Sequence, residues 1–312
     1  MARVSLILVT WNSARFLPRC LDGIARQSVR DIELIVVDNG SADDSVAIVR
    51  SRFPDATILE NTTNEGFSRA VNQGVARASG EFVQLVNPDA FLEPDYVAKL
   101  VEALEREEFG AATGKLMRAD GSGVDTKGIR MTRTGRHFDI DEPAAGEERP
   151  AEVFGVSGAA AMYRMSFIRD VTLSDGQFLD EDFFTYREDA DVAWRGRLFG
   201  WRALYVPDAV GWHVRTVTPQ NRRELPSFIN MHSVKNRFLL RIKNEGLYLA
   251  LRNAPFELPR DFVTLAAVLT IERGSLPAFS WIWRNRKRMF AKRREIQRRR
   301  RVSDRALARW FR

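Results

Sequence analysis

The first ninety residues alternate apolar strands with helices, and every major strand runs out into polar residues. Residues 4–9 (VSLILV) read as a buried strand that stops at Thr10, Trp11 and Asn12. Residues 13–27 then place Phe16, Leu17, Cys20, Leu21 and Ile24 at helical spacing. A second strand over 32–37 (IELIVV) ends in Asp38-Asn39-Gly40-Ser41, a helix over 43–50 follows, and a third strand over 57–59 leads into the loop NTTNEGF. A helix over 68–78 precedes a fourth strand, 82–86, which delivers Asn87, Pro88 and Asp89 beyond its carboxyl end. Pro88 has no N–H for a ladder, so the strand stops there. This order predicts a parallel sheet flanked by helices, with ligands bound at the carboxyl edge of the strands. The first strand is followed by TWNSARF instead of a Gly-x-Gly-x-x-Gly turn, which excludes the dinucleotide-binding variant.

Beyond this unit the pattern loosens. A helix is expected over 95–107, possible edge strands within 115–140, a loop over 141–150 and one strand over 153–163 (VFGVSGAAAMY). Five acids (Asp180, Glu181, Asp182, Glu188, Asp189) then crowd before a helix containing Val192, Trp194 and Leu198. A further strand over 201–206 should end at Pro207, with His213 shortly after it. So many acids beside a sheet need a cation or a substrate, or else lie in water.

Charge separates the two ends of the chain. From Arg284 to Arg312, 14 Lys and Arg stand against two acids, so that segment carries +12 in a chain of net charge +7. The remainder is therefore acidic. Ile282, Met289 and Ile296 fall seven apart among Trp281, Trp283, Phe290 and basic residues, the pattern of a basic amphipathic helix. The apolar run 262–271 is too short to span a bilayer. Cys20 is the single cysteine, which excludes an internal disulfide and a cysteine-built metal centre. With no signal-peptide pattern in MARVSLILVTW, a cytoplasmic location is expected.

The runs VTWN, VVDNGSADDS, NEGFSRAVNQG, VNPDA, GAAAMYR, DEDFFTYREDADVAWRGRLFGWR and PDAVGWH occur in an order that resembles the inverting family-two glycosyltransferases of GT-A fold. Within that family the resemblance is to the rhamnosyltransferase-like branch of bacterial cell-wall and polysaccharide synthesis. It implies an α/β GT-A domain over residues 1–223 with a mostly parallel sheet, and a basic helical extension over 224–312. It further implies transfer of L-rhamnose from dTDP-rhamnose to a polyprenyl-diphosphate-linked saccharide. UDP-galactofuranose, UDP-N-acetylglucosamine and UDP-glucose are alternative donors, and a degenerate, non-catalytic binding module is the rival of another class.

By the resemblance, Thr10, Asn12, Asp38, Asn39, Gly66, Asn72 and Asn87 serve the nucleotide sugar, with Asp38 accepting from the base. Asn72 is equally well read as a helix residue bonding a loop. Asp89 and His213 are the implied ligands of Mg²⁺ or Mn²⁺, with an amide at Asn87 where the family motif has its first acid. Asp189 is the implied general base and Glu188 its neighbour. A Pro-Asp turn accounts for Asp89 taken alone, and helix-starting acids account for Glu188 and Asp189. The basic helix is expected at the anionic inner leaflet of the plasma membrane, with a homodimer contact as the alternative; its aromatic neighbours favour lipid over nucleic acid.

Overall fold

The computed structural model describes residues 2–142, 146–215 and 227–312. Strand β1 (Val4–Thr10) passes through α1 (Leu17–Ala25) to β2 (Ile32–Asp38), then through α2 (Ser45–Arg52) to β3 (Thr57–Glu60). Helix α3 (Phe67–Val75) leads to β4 (Phe82–Val86), and the four strands lie parallel in the order β3-β2-β1-β4. Alternate residues of β1 enter opposite core layers. Leu6 and Leu8 join Leu17 and Leu21 of α1, whereas Ile7 and Val9 join Ala70 and Val71 of α3.

The chain continues through β5 (Ala90–Leu92), α4 (Tyr96–Leu104), β6 (Phe109–Arg118), β7 (Val124–Thr126), β8 (Ile129–Met131) and β9 (His137–Asp139). Then come β10 (Ala151–Val153), β11 (Ala161–Arg164), α5 (Met165–Val171), α6 (Glu188–Leu198) and β12 (Arg202–His213). The full sheet runs β10-β12-β6-β11-β4-β1-β2-β3, and β11 is antiparallel to both neighbours, so the sheet is mixed.

Three elements depart from the sequence expectation. Strand β6 is central, yet FGAATGKLMR carries little apolar periodicity because small residues are needed there. A Cβ at Gly114 would run into the Ala209 carbonyl and the Tyr96 ring. The single strand expected over 153–163 is two short strands, β10 at the sheet edge and β11 near its middle. Pro207 does not end its strand, because β12 shifts register against β6 between Val206 and Val210 and the irregularity accommodates the proline. That continuation carries the chain on to His213.

The expected boundary between residues 223 and 224 lies outside the described residues. Past it stand α7 (Ser227–Asn244), α8 (Leu247–Thr270) and α9 (Pro277–Arg299). Leu239 and Leu240 of α7, with Met289 and Ile296 of α9, complete the core layer that holds Ile7 and Val71. The seven-residue seam of α9 is thus turned inward: Met289 is 1% exposed and Ile296 0%. Spacing alone marks a buried helix face without saying what buries it.

Buried ion pairs lock these helices to the sheet domain. Lys243 Nζ donates to both carboxylate oxygens of Asp191 at 2.9 Å and also pairs with Asp180. Lys292 Nζ donates to Asp180 Oδ1 at 2.6 Å, and Arg288 is paired with Asp182. Two of the three acids at 180–182 are therefore neutralised by the C-terminal helices. Against the cost of burial, Lys243 and Lys292 hold the Asp180 carboxyl below its ordinary range.

Candidate active site

The ends of β1 and β2 build one polar corner. Their register sets Thr10 beside Asp38, and Thr10 Oγ1 donates to Asp38 Oδ1 at 2.9 Å. The Ser41 backbone N–H donates to Asp38 Oδ2 at 2.9 Å, closing the Asp38–Ser41 turn. Asn12 takes a left-handed conformation (φ 50°) that Asn tolerates, and its Oδ1 accepts from the Ala42 N–H at 2.8 Å. An open polar pocket lies beside this corner, lined by Asp38, Gly40, Ser41, Asp43, Asn61 and Thr62.

Asn39 extends the corner toward the loop before α3. Its Nδ2 donates to the Gly66 carbonyl at 3.2 Å, and its Oδ1 accepts from Asn61 at 3.0 Å. Gly66 has φ +88°, and a Cβ there would lie 2.6 Å from the Phe184 ring, so glycine is required on both counts. Asn72 stands further along α3. Its Nδ2 donates to the Leu179 carbonyl at 2.8 Å and its Oδ1 accepts from the Leu179 N–H at 2.9 Å, which pins the segment before Glu181.

The end of β4 meets the end of β12. Strand β5 pairs antiparallel with β12 so that Ala90 faces His213, and the Val214 N–H donates to the Asp89 carbonyl at 3.0 Å. His213 Nε2 consequently sits 3.4 Å from Asp89 Oδ1. Its Nδ1 shares a 2.8 Å hydrogen bond with Asp125 Oδ2, and Arg215 Nε donates to Asp125 Oδ1 at 2.7 Å. Burial alone would lower the His213 pKa, but Asp125 and Asp89 raise it to about 9. The Asn87 N–H donates to the Ala159 carbonyl at 2.9 Å, which fixes the turn that aims Asp89.

Asp125, Arg215 and Asp139 were not legible as site residues. Asp125 sits in a glycine-rich stretch, GSGVDTKG, with no motif around it. Among the described residues no three His, Cys, Asp or Glu side chains gather as a ready metal cage. The Asp89 carboxylate fits a hard divalent cation, and His213 Nε2 could join it only by giving up the proton that Asp125 and Asp89 stabilise.

Glu188 and Asp189 begin α6 behind a strained turn. Phe184, Tyr186 and Arg187 all have positive φ (66°, 66° and 74°), a costly conformation for such side chains. Asn236 of α7 holds that turn by donating from Nδ2 to the carbonyls of Phe183, Thr185 and Tyr186 at 2.9, 2.7 and 2.8 Å. Asp189 Oδ2 accepts from the Gly158 N–H at 3.2 Å, tying it to the loop before β11. Burial raises Asp189 to about 6, with Asp139 adding to the rise against the hydrogen bonds from Gly158 and Ala190. Glu188 is raised to about 8, by burial first and then by Asp189. Its Oε2 is buried without a hydrogen-bond partner. A buried acid pair with an orphaned oxygen departs from ordinary solvated helix-starting acids.

Known proteins resemble this chain in sequence and in fold. Residues 5–172 match the family described as Glycosyl transferase family 2. The chain is 28% identical over 236 residues to an N-acetylglucosaminyl-diphospho-decaprenol L-rhamnosyltransferase of Mycobacterium tuberculosis, covering 67% of this chain and 75% of that protein. It is 24% identical over 264 residues to the putative glycosyltransferase EpsH of Bacillus subtilis, covering 81% and 68%. Among solved structures, Staphylococcus aureus TarS superposes with TM-score 0.59 at 18% identity over 94% of this chain and 50% of that one. The mannosyltransferase PcManGT of Pyrobaculum calidifontis, solved with GDP-Man and Mn²⁺, superposes with TM-score 0.56 at 21% identity over 95% and 85%. With more than half its length matched and the GT-A fold around its acid pair, this chain belongs to glycosyl transferase family 2.

Proposed function

We propose that the protein is an inverting, metal-dependent glycosyltransferase that moves L-rhamnose from dTDP-rhamnose onto a polyprenyl-diphosphate-linked saccharide in bacterial cell-wall or surface polysaccharide synthesis. The observation that carries the chemistry is the buried Glu188–Asp189 pair, with Asp189 poised near 6 and tied to Gly158. Inversion needs one base to take the proton of the acceptor hydroxyl as that oxygen attacks the anomeric carbon. A carboxylate of raised pKa is a stronger base than an exposed one and is still ionised at neutral pH. Glu188 beside it is raised as well, by burial and then by Asp189, so the pair resists taking a second negative charge.

Thr10, Asn12, Asp38 and Asn39 form the corner for the base and ribose, with Asp38 oriented by Thr10 and Ser41. Gly66 keeps the wall of the cleft open next to Phe184, and Asn87 sets the turn that carries Asp89. Asp89 with His213 would hold Mg²⁺ or Mn²⁺, and the ion would supply positive charge for the departing nucleoside diphosphate. Rhamnose and a polyprenyl acceptor are favoured by the likeness to the mycobacterial rhamnosyltransferase. That acceptor places the enzyme at the cytoplasmic face of the plasma membrane.

A donor panel tests the assignment. Thermal shift and turnover with dTDP-rhamnose, UDP-galactofuranose, UDP-N-acetylglucosamine and UDP-glucose, each with Mn²⁺, should single out dTDP-rhamnose. Preference for a UDP sugar would reassign the donor. Failure to bind or hydrolyse any of them would return the chain to the class of binding modules.

A further inference from the structure

Among the described residues the C-terminal helices leave one long face without a partner. Along α8, Leu247, Leu251, Leu258, Phe262, Leu265 and Leu269 fall on one stripe, and all six are exposed, Leu247 by 74% and Phe262 by 72%. The stripe runs over 23 residues, Leu247 to Leu269, roughly 33 Å at the helical rise. Arg260 is the one exposed charged residue of α8, since Glu257 and Asp261 are turned to Arg241 and Arg237. Beyond the helix the apolar surface continues through Ile271, Leu276 and Trp283, with Arg284 and Lys287 exposed beside it. Apolar surface of this extent is rare on a chain that meets only water.

Charge decides what covers it. Residues 227–312 carry 21 Lys and Arg against six Asp and Glu. Those six acids are buried or already engaged within the chain. Lys243, Arg288, Lys292 and Arg301 are spent on acids of the sheet domain, yet the segment stays net basic, so a second copy docking here would set like charge against like, which is unfavourable. An anionic bilayer meets the same face with opposite charge and accepts its leucines. No single described helix is long and apolar enough to cross a membrane, and α8 bends by 110° from the helix after it.

We infer that the α8 stripe, continued by Trp283, is a docking surface for an anionic lipid bilayer, with α8 lying in the interface and Arg284 and Lys287 at the headgroups. This deepens the reading of a lipid-linked acceptor and rests on it for which membrane is met. It also moves the contact from the α9 seam, which is spent on the core, to a different helix.

The test is flotation of the full chain with vesicles of phosphatidylcholine alone and of phosphatidylcholine mixed with phosphatidylglycerol. Wild type should float with the anionic vesicles and not with the neutral ones. The double variant Leu258→Asp/Phe262→Asp should lose about tenfold or more of that binding, as should Arg284→Glu/Lys287→Glu. Equal melting temperatures confirm that the variants are folded, and the charge-reversal pair decides the matter if the aspartates unfold the helix. No flotation of wild type, or full flotation of the folded variants, overturns the inference. So does a lipid-free dimer that Leu258→Asp/Phe262→Asp dissociates, which would give the face to a second copy. Hydrolysis of the nucleotide sugar, measured on the same samples, should be unchanged in both variants. Lost flotation with intact hydrolysis touches only the surface, and intact flotation without hydrolysis touches only the transferase reading.

Discussion

His213 Nε2 lies 3.4 Å from Asp89 Oδ1, although 123 residues separate the two in the chain. The β5–β12 ladder makes the approach, and Asp125 fixes the imidazole from its other side. Asp89→Asn should abolish the Mn²⁺-dependent part of the thermal shift produced by nucleoside diphosphate. His213→Ala should weaken it. The readout is melting temperature with and without Mn²⁺, and an unchanged metal-dependent shift in Asp89→Asn would remove that residue from the ion's site.

The same contact gives stability a pH dependence. His213 keeps its proton to about 9 in the folded chain, whereas an unfolded histidine releases it near 6.5. Its contribution is therefore complete below about 6.5 and is lost as pH rises through about 9. In metal-free buffer, Asp125→Asn should flatten the fall in melting temperature over that window.

Asn236 is a positioning residue for the acid pair. Replacing it with Ala takes the side-chain donor from the carbonyls of Thr185 and Tyr186, while Phe183 keeps the Thr185 N–H, at a cost of about 1–3 kcal/mol. Turnover should fall while the donor Kd changes little, because the base is displaced and the nucleotide corner is untouched. Urea melts and donor titration separate the two effects. A variant that loses stability with full turnover would confine Asn236 to a structural role.

Lys243 neutralises Asp180 and Asp191 with all three side chains fully buried. Lys243→Met removes one partner and leaves buried carboxylates uncompensated, which should destabilise by about 3–5 kcal/mol. Denaturant midpoints check this, and a loss under 1 kcal/mol would show that Lys292 and Arg195 suffice.

The sequence displayed its parallel half because β1, β2 and β4 are short apolar runs with polar exits, so their alternation and their ligand-facing ends could be read directly. Strand β6 was hidden because close packing at Gly114 demands small residues, which carry no periodic signal. The corner of Thr10, Asn12, Asp38 and Asn39 was legible as strand ends. Asp125 was not, since its role depends on β7 folding back on β6, the strand that pairs with β12. The acids at 180–182 could be counted, but their counterions lie 63 to 112 residues away on α7 and α9. The seam of α9 read as the apolar face of a basic amphipathic helix at a membrane, because spacing does not show that Met289 and Ile296 pack into the core.

Asp189→Asn tests the central claim most directly, with turnover and donor affinity measured on one preparation. It removes the base and nearly preserves shape. Turnover should fall roughly a hundred- to ten-thousand-fold, with the donor Kd nearly unchanged. In the wild type, kcat/KM should rise with pH through about 6 as Asp189 ionises. Full turnover by Asp189→Asn would contradict the assignment of that carboxylate as the base on which this account of the transferase stands.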